Sequence, residues 1–280
     1  MRIGIVGSAE RAVAWENHLR PHPSVSEVII AASLDDIGSV DACLLLNVKD
    51  SHIEQLINAI KSGVHTFSIA KLPTEHAIAE KIYYASQEAN VCVQFSHWPT
   101  LAPASQWMAQ KVTKPSFIQV NRLVSHTQFI ENNIAFADLW IDELAYCLKY
   151  VGGAVHHVDV NTSTLQSGKP RAIHLALRFD SGATAVIYIS ACAHENRHRR
   201  LVSDHTFLLD CEIESQTVRI GRESSNKHLF FDKKTFDASV AAEQSVTQFL
   251  KSIQLKKPSV YNSHDLLLLT GLIDRVQSRF

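Results

Sequence analysis

Short apolar runs alternate with amphipathic stretches over the first third of the chain. Apolar residues recur at helical spacing over residues 53–60 and again over residues 77–89. Continuously apolar strands that alternate with helices are typical of a parallel sheet covered on both faces. We therefore predict an α/β domain over residues 1–98. The runs that predict its strands are 3–6, 28–32, 42–46, 66–69 and 91–95.

The connection between the second and third predicted strands is unusually short. Only about eight residues lie between Ala32 and Asp41. A parallel crossover that contains a helix needs roughly a dozen residues or more. Two alternatives follow: the crossover is a bare loop or turn, or the sheet is abbreviated at this point.

The pattern changes after Trp98. A strong helical pattern over residues 134–151 ends at Gly152 and Gly153, and Asp180-Ser181-Gly182 predicts a tight turn between two β-patterned runs. Residues 99–280 are therefore predicted to form an α+β domain with a mostly antiparallel open sheet, and its last helices are able to pack back on the first domain. The remaining predicted elements are 104–112, 116–124, 174–179, 183–191, 205–213, 241–253 and 265–278.

Composition narrows the classes of function. The chain has 280 residues, 46% of them apolar, and a formal net charge of −1, which gives no electrostatic reason to expect nucleic acid or an anionic membrane as partner. The first residues run directly into a strand pattern, so we expect no signal peptide, and no apolar run is long enough to cross a bilayer. Five scattered cysteines without a CxxC pair indicate reduced thiols and a cytoplasmic protein.

The first strand is followed by an altered dinucleotide-binding loop. Such a loop needs a glycine for the tight turn, a glycine where the backbone meets the pyrophosphate, and a small residue where helix packs on strand. Gly7, Ala9 and Ala12 stand at those three positions, with Ser8 between the first two. The loop predicts a Rossmann-type domain that binds NAD or NADP. The alternative is a plain strand-to-helix turn.

From this loop onward, nearly the whole chain resembles the Gfo/Idh/MocA family of NAD(P)-dependent oxidoreductases. Five segments are similar to motifs of that family in the same order: residues 40–46 (its third strand), 47–52 (T-P-N-x-x-H), 59–65 (A-L-x-A-G-K-H), 70–73 (E-K-P) and 175–182 (L-R-F-x-x-G). The resemblance implies hydride transfer between nicotinamide and a sugar, polyol or related hydroxy compound. It also implies a homodimer or higher homo-oligomer assembled through the C-terminal sheet.

Eight residues are the candidates for binding the cofactor. They follow the predicted strands, and ligands bind at the carboxyl ends of strands in open α/β sheets. Where the fold usually has an acidic residue for the ribose, Ser33 stands instead, which either favours a phosphorylated ribose or weakens the site. The candidates are Gly7, Ser8, Ala9, Ser33, Asn47, His52, Lys71 and His97.

Lys71 is the first of three candidate catalytic residues. It matches the lysine of the E-K-P motif, which in the family lies between nicotinamide and substrate. A cationic head there favours the alkoxide that hydride loss requires. Ala70 replaces the glutamate, and the extra Leu72 moves the proline by one position. The alternative is a solvated surface lysine.

Asp138 and Asp142 are the other two catalytic candidates. The family has an Asp and, four residues later, a His at these positions, and this spacing places both on one helical face. Asp142 replaces the His, and Ala145 replaces a downstream Asp. Asp142 can accept a proton near neutral pH only with a raised pKa, which a neighbouring carboxylate favours. The alternative is that Asp138 and Glu143 merely solvate an amphipathic helix.

One motif suggests a different chemistry. Residues His194 to His198 read HExxH, which binds zinc in metallopeptidases when it lies on a helix. Here the motif follows a β-pattern and leads into Arg199 and Arg200, so we predict an exposed basic loop that contacts an acidic substrate or a second subunit. No metal site is predicted.

Three functions therefore compete. The first is the NAD(P)-dependent oxidoreductase, which the order of Gly7, His52 and Lys71 favours. The second is a catalytically degenerate family member that binds a ligand or partner, which the substitutions at Ala9, Ser33 and Asp142 favour. The third is a zinc peptidase, which rests on HExxH alone.

Overall fold

The computed structural model describes residues 1–46, 51–165, 168–223, 226 and 228–280. The candidate Asn47 lies outside these residues. The chain divides into two compact units, Met1–Leu101 with Ser239–Thr270, and Ala102–Ala238 with Gly271–Phe280. Among the described residues, no helix combines the length and hydropathy that a membrane crossing needs.

Strands and helices are numbered here in chain order. The strands are β1 (Arg2–Val6), β2 (Glu27–Ala31), β3 (Ala42–Leu45), β4 (His65–Ser68), β5 (Val93–Phe95), β6 (Phe117–Ser125), β7 (Val155–Thr164), β8 (Pro170–Phe179), β9 (Thr184–Ala193), β10 (Arg197–Ser203), β11 (Phe207–Glu212), β12 (Thr217–Glu223) and β13 (Leu229–Thr235). The α-helices are α1 (Ala9–Leu19), α2 (His52–Lys61), α3 (His76–Glu88), α4 (Trp98–Leu101), α5 (Pro103–Lys111), α6 (His126–Glu131), α7 (Phe136–Val151), α8 (Ala241–Leu255) and α9 (Ser263–Gln277). Two short 3-10 helices lie at Leu34–Asp36 and Ala238–Val240.

The first unit contains the predicted parallel sheet. Its strands run in the order β2-β1-β3-β4-β5, and every neighbouring pair is parallel. Phe67 lies at the centre of the core, with its ring 5.9 Å from that of Trp15 on α1 and 5.6 Å from that of Phe249 on α8. The α/β fold class predicted for this part of the chain is confirmed.

The short connection from β2 to β3 is a turn built around a 3-10 helix, while the sheet keeps all five strands. Both strands pair with β1, so the connection must cross β1 without the cover of a full helix. Ile37 supplies that cover, since it is 3% exposed and packs on Gly4 of β1. A Cβ on Gly4 would lie 2.7 Å from Ile37 Cδ1, which explains the glycine in the middle of a buried strand.

The second unit contains an eight-stranded sheet in the order β13-β12-β11-β10-β6-β9-β8-β7. Neighbouring strands are antiparallel except β6 and β9, so the mostly antiparallel sheet of the prediction is confirmed. Helix α7 packs on one face of this sheet against β6, β8 and β9. Of the ten residues of α7 from Leu139 to Leu148, nine are buried, and Asp142 is the exception.

The exposed basic loop predicted around His194 is confirmed only for His194 to Asn196 and is wrong from Arg197 onward. Residues Arg197–Ser203 form β10, which lies between β11 and β6 well inside the sheet. Arg200 is completely buried and His198 is largely covered. Strand β10 could not be predicted from periodicity because the partners of its charged residues come from distant parts of the chain.

Candidate active site

Four predicted cofactor residues meet at one edge of the first unit's sheet. Ser33, Gly7, Lys71 and His97 follow β2, β1, β4 and β5 respectively, and all these strands run in the same direction. The carboxyl ends of the strands therefore bring the four residues to the same edge, where open α/β sheets bind their ligands.

The turn after β1 depends on Gly7 for two separate reasons. Its φ of +153° is one that side chains rarely adopt, and a Cβ there would lie 2.7 Å from Leu46 Cβ. Gly7 also donates its backbone N–H to Ala31 O of β2. The glycine is thus required by the packing of the strand ends, independently of any ligand.

Helix α1 begins directly after this turn and leaves its amino end accessible. Ser8 is the N-cap residue, but its side chain makes no capping hydrogen bond to the helix. Ala9 is exposed, so no packed neighbour covers this end of the helix, although its own methyl group stands where a pyrophosphate would approach the backbone. The N–H groups of the first turn can therefore meet an anion, which is how the pyrophosphate of a dinucleotide is held in this fold.

Arg11 is a residue near this loop that sequence reasoning missed. Its side chain is exposed and donates to Leu46 O at 3.4 Å, which holds the guanidinium beside the end of β3. A guanidinium in the first turn of α1 is suited to pairing with a phosphate. The preceding Glu10 lies in the same turn and partly offsets this charge. The signal was present in the sequence as a basic residue two positions after Ala9.

Ser33 is occupied in capping the 3-10 helix that follows β2. Its Oγ accepts a hydrogen bond from Asp35 N at 3.4 Å. The next residues are Leu34 and the exposed Asp35 and Asp36, which add two carboxylates and no cation to this segment. Such a segment is unfavourable for a phosphate on the ribose.

His52 lies on the same side of the sheet, at the first turn of α2, and is 6% exposed. Its Nε2 lies 2.9 Å from Ser68 Oγ at the end of β4. Burial lowers the pKa of His52, so the ring is neutral near pH 7. This contact thus links the first turn of α2 to the carboxyl end of β4.

Lys71 and Leu72 alternate between solvent and core in the segment after β4. Lys71 is exposed, whereas Leu72 is 7% exposed and belongs to the buried set. Leu72, the residue inserted relative to the E-K-P pattern, therefore packs into the core and holds this segment in place. Lys71 lies on the solvent side at the carboxyl edge.

His97 is buried rather than open to a cleft. It is 2% exposed, its Nδ1 lies 2.7 Å from Thr100 Oγ1, and its ring centroid lies 4.7 Å from that of Tyr261. Its carbonyl also accepts hydrogen bonds from Thr100 N and Leu101 N, the last two residues of α4. These contacts indicate that His97 is a structural histidine with its own partners, and they do not favour a direct contact with the cofactor. The neighbouring Trp98 is exposed.

In the second unit, Asp138 and Asp142 lie one turn apart near the start of α7, as their spacing predicts. Burial raises the pKa of Asp142 to about 6, and Glu143 and Asp138 add to the rise while Arg122 opposes it. The Asp142 side chain keeps 39% of its surface exposed. Asp142 therefore combines access to solvent with a pKa suited to proton exchange near neutral pH.

Glu143, next to Asp142, does not solvate the helix: it is completely buried in an ion-pair network. Arg200 Nε and Nη2 donate to its two carboxylate oxygens at 2.8 and 2.9 Å, and His198 Nε2 lies 2.9 Å from Oε1. Burial opposes ionisation, but Arg200 and His198 hold the pKa of Glu143 well below its usual range. The alternative in which Glu143 merely solvates an amphipathic helix is wrong.

Arg122 of β6 connects this buried network to Asp142. Its Nη1 donates to Leu139 O at 3.2 Å and lies 3.5 Å from both Asp142 Oδ2 and Glu143 Oε1. One guanidinium nitrogen therefore serves the exposed carboxylate and the buried one together. The contact with Arg122 holds the Asp142 carboxylate on the side of α7 that faces β6.

The HExxH segment does not have the geometry of a zinc peptidase. His194 to Asn196 form the turn between β9 and β10, and His198 lies on β10, so no helix aligns the two histidines. His198 is directed at Glu143 instead, and burial lowers its pKa. The zinc-peptidase interpretation requires both histidines on one helix, and that helix does not exist here.

Comparison with known proteins gives no matching family model and no matching curated protein. Solved structures match over the full length. UDP-N-acetylglucosamine 3-dehydrogenase GnnA from Acidithiobacillus ferrooxidans is 15% identical, with 100% of this chain and 97% of that chain covered and a TM-score of 0.81. An NAD binding oxidoreductase from Klebsiella pneumoniae is 14% identical, with 100% and 96% covered and a TM-score of 0.83.

A dehydrogenase from Clostridium difficile, 11% identical, aligns over 100% of this chain and 99% of that chain with a TM-score of 0.77. At such identities the likeness concerns the fold, not the activity. The chain therefore shares its fold with these solved dehydrogenases and with the NAD binding oxidoreductase, and a dehydrogenase fold is what the motifs imply.

Proposed function

We propose that the chain is an NAD(P)-dependent oxidoreductase that acts on a sugar, polyol or related hydroxy compound. The observation that carries this proposal is the turn at Gly7, which opens onto the accessible amino end of α1 at the carboxyl edge of a parallel sheet. Neighbours of the same fold include an NAD binding oxidoreductase and a nucleotide-sugar dehydrogenase. In this proposal, residues 1–98 bind the dinucleotide and residues 99–280 serve substrate binding and dimerisation.

The residues at the sheet edge fit a dinucleotide. The backbone of Ser8 and Ala9 and the guanidinium of Arg11 would hold the pyrophosphate, and the segment after Ser33 would meet the ribose. Bound there, the nicotinamide supplies the hydride acceptor or donor. Because Asp35 and Asp36 follow Ser33 without a cation, we propose that NAD is preferred over NADP.

Asp142 and Lys71 have distinct proposed tasks. When an alcohol is oxidised, its carbon loses hydride and its hydroxyl loses a proton. Asp142 accepts that proton, because its raised pKa makes it a stronger base than an ordinary carboxylate. Lys71 stabilises the developing alkoxide by its charge, and Asp138 contributes by raising the pKa of Asp142.

Fluorescence titration with NADH and NADPH tests the cofactor proposal. Saturable binding of NADH, with weaker binding of NADPH, is the expected result. Hydride transfer in a screen of sugar and polyol substrates should then be lost in Lys71→Ala. Cofactor binding without turnover on any substrate would favour the degenerate, ligand-binding alternative. Failure of both dinucleotides to bind at millimolar concentration would overturn the proposal.

We also propose that two copies associate through the open face of the eight-stranded sheet. Leu208, Gly221 and Phe231 stand side by side across β11, β12 and β13, and Leu208 and Phe231 are 45% and 78% exposed. Exposed apolar side chains on one sheet face are typical of interfaces. Sedimentation analysis should show a dimer that Phe231→Asp weakens, whereas a monomeric wild type would exclude this assembly.

A further inference from the structure

A cavity of about 710 Å³ lies in the first unit, away from the candidate cofactor edge. It is lined by His65 at the first position of β4 and by Cys92 just before β5, together with residues of α3 and of the α8–α9 connection. It therefore lies at the amino ends of these parallel strands, at the edge opposite Lys71 and His97. Its volume is within the range of small-molecule sites.

The lysine and acidic side chains of the cavity wall are unequally represented, so its charge is positive. Lys256 and Lys257 line it, and the lining includes no Asp or Glu. The backbone N–H groups of both lysines are bonded to carbonyls near the end of α8, to Ile253 O and Ser252 O respectively, which fixes where the side chains start. Two ammonium groups, with no carboxylate among the described residues that line the cavity, attract an anion.

His65 adds a neutral donor with a defined tautomer. The backbone N–H of Cys92 donates to its Nδ1 at 2.8 Å, so the ring proton of the neutral form resides on Nε2. Burial lowers the pKa of His65, and the opposing effect of the Asp41 carboxylate is smaller. The imidazole can thus donate one hydrogen bond to a ligand without itself being charged.

The remaining wall combines satisfied polar groups with an aromatic side. Ser259 Oγ donates to Val93 O at 2.6 Å, and Asn262 Oδ1 accepts from His264 N and Asp265 N. These polar groups already have hydrogen-bond partners within the protein, so we do not assign them a role in ligand binding. Tyr83 lies beside His264, with ring centroids 5.9 Å apart, and offers a flat surface to a planar group.

We propose that this cavity binds a small organic anion, a phosphate or carboxylate ester or acid with a planar or apolar portion. The anionic group pairs with Lys256 and Lys257 and accepts from His65, while the planar portion packs on Tyr83. This site is separate from the proposed dinucleotide site, and the two can be occupied independently.

Calorimetric titration of the full chain with phenyl phosphate, inorganic phosphate and phenol tests the proposal. Phenyl phosphate should bind more tightly than either of the other two, because only it offers both the charge and the ring. The double variant Lys256→Gln/Lys257→Gln should weaken its binding by about tenfold or more, as expected for losing two charged contacts.

The matched control is Lys111→Gln/Lys114→Gln, which removes the same charge from exposed lysines of the second unit, outside the cavity lining. It should leave phenyl phosphate binding within about twofold of the wild type, since distant surface charges are screened. Equal weakening in both double variants, or no binding of phenyl phosphate at millimolar concentration, would overturn the proposal. NADH binding should be unchanged in the cavity variant, so failure of this site is distinguishable from failure of the cofactor proposal.

Discussion

Asp142 is the residue whose environment most directly ties the structure to chemistry. Its pKa lies near 6 because burial and the neighbouring carboxylates of Glu143 and Asp138 disfavour its charge, against the pull of Arg122. A proton acceptor must be ionised to work. The rate of alcohol oxidation should therefore fall as the pH drops through about 6. Asp142→Asn should be nearly inactive across the range.

Stability gives an independent check on this pKa. Since folding raises the pKa of Asp142 from its ordinary 3.8, the native state binds more protons than the unfolded state between the two values. The free energy of unfolding of the wild type, relative to Asp142→Asn, should thus fall as the pH rises from about 4 to about 6. Urea unfolding at several pH values measures this, and a flat difference would contradict the raised pKa.

Arg122 provides a second test at the same site. It lowers the pKa of Asp142, so its removal should shift the acid limb of the rate profile upward. Arg122→Gln should therefore lose activity at pH values where the wild type is still active, and recover part of it at higher pH. A uniform loss at all pH values would mean that Arg122 has only a structural role.

Glu143 is expected to matter for stability. Replacing it by Gln leaves the completely buried Arg200 without its countercharge. Loss of one partner of a buried pair costs about 3–5 kcal/mol. Urea unfolding should show this loss, while the control Glu131→Gln at an exposed helix position should change stability by less than about 0.5 kcal/mol. A small effect at Glu143 would contradict the buried network.

At the scale of elements, the turn between β1 and α1 is the feature on which the first unit depends. Gly7→Ala should destabilise the protein more than Gly38→Ala does. Both glycines have positive φ, but only Gly7 has neighbours within 4 Å, at Leu46. Gly38→Ala should cost about 1–2 kcal/mol from backbone strain alone. Thermal unfolding of both variants checks this, and equal losses would contradict the close contact at Leu46.

Some strands can be predicted from sequence patterns, and others cannot. Strands β1, β2 and β3 of the first unit are visible in the sequence because each is mostly apolar. Strand β10 was missed because Arg197, His198, Arg199 and Arg200 mask its alternation. The pair that explains it joins Arg200 to Glu143, 57 positions away, and nothing local indicates that a charge so placed is buried.

Candidate site residues divide along similar lines. Gly7 was identified from the dinucleotide-loop pattern and Lys71 from its resemblance to the E-K-P motif; both follow strand ends, which the parallel sheet brings to one edge. His97 also follows a strand, but its partners Thr100 and Tyr261 hold it in the interior. Position relative to a strand is visible in the sequence, whereas the direction in which a side chain is held depends on its tertiary neighbours.

At the scale of the whole molecule, the candidate residues are distributed over both units. The first unit has the strand-to-helix turn and the exposed Lys71, and the second has Asp142 with its supporting network. Ala9 is the substitution that most directly weakens the dinucleotide interpretation, since its methyl group stands where pyrophosphate approaches the backbone. Replacing it by glycine removes that group and leaves the accessible amino end of α1 in place.

The central claim is that this edge binds a nicotinamide dinucleotide. Fluorescence titration of NADH against the wild type and Ala9→Gly tests it most directly, with NADPH as the comparison. We predict saturable NADH binding to the wild type, tighter binding to Ala9→Gly and weaker binding of NADPH to both. Absence of saturable binding to either protein, with both cofactors at millimolar concentration, would contradict the claim.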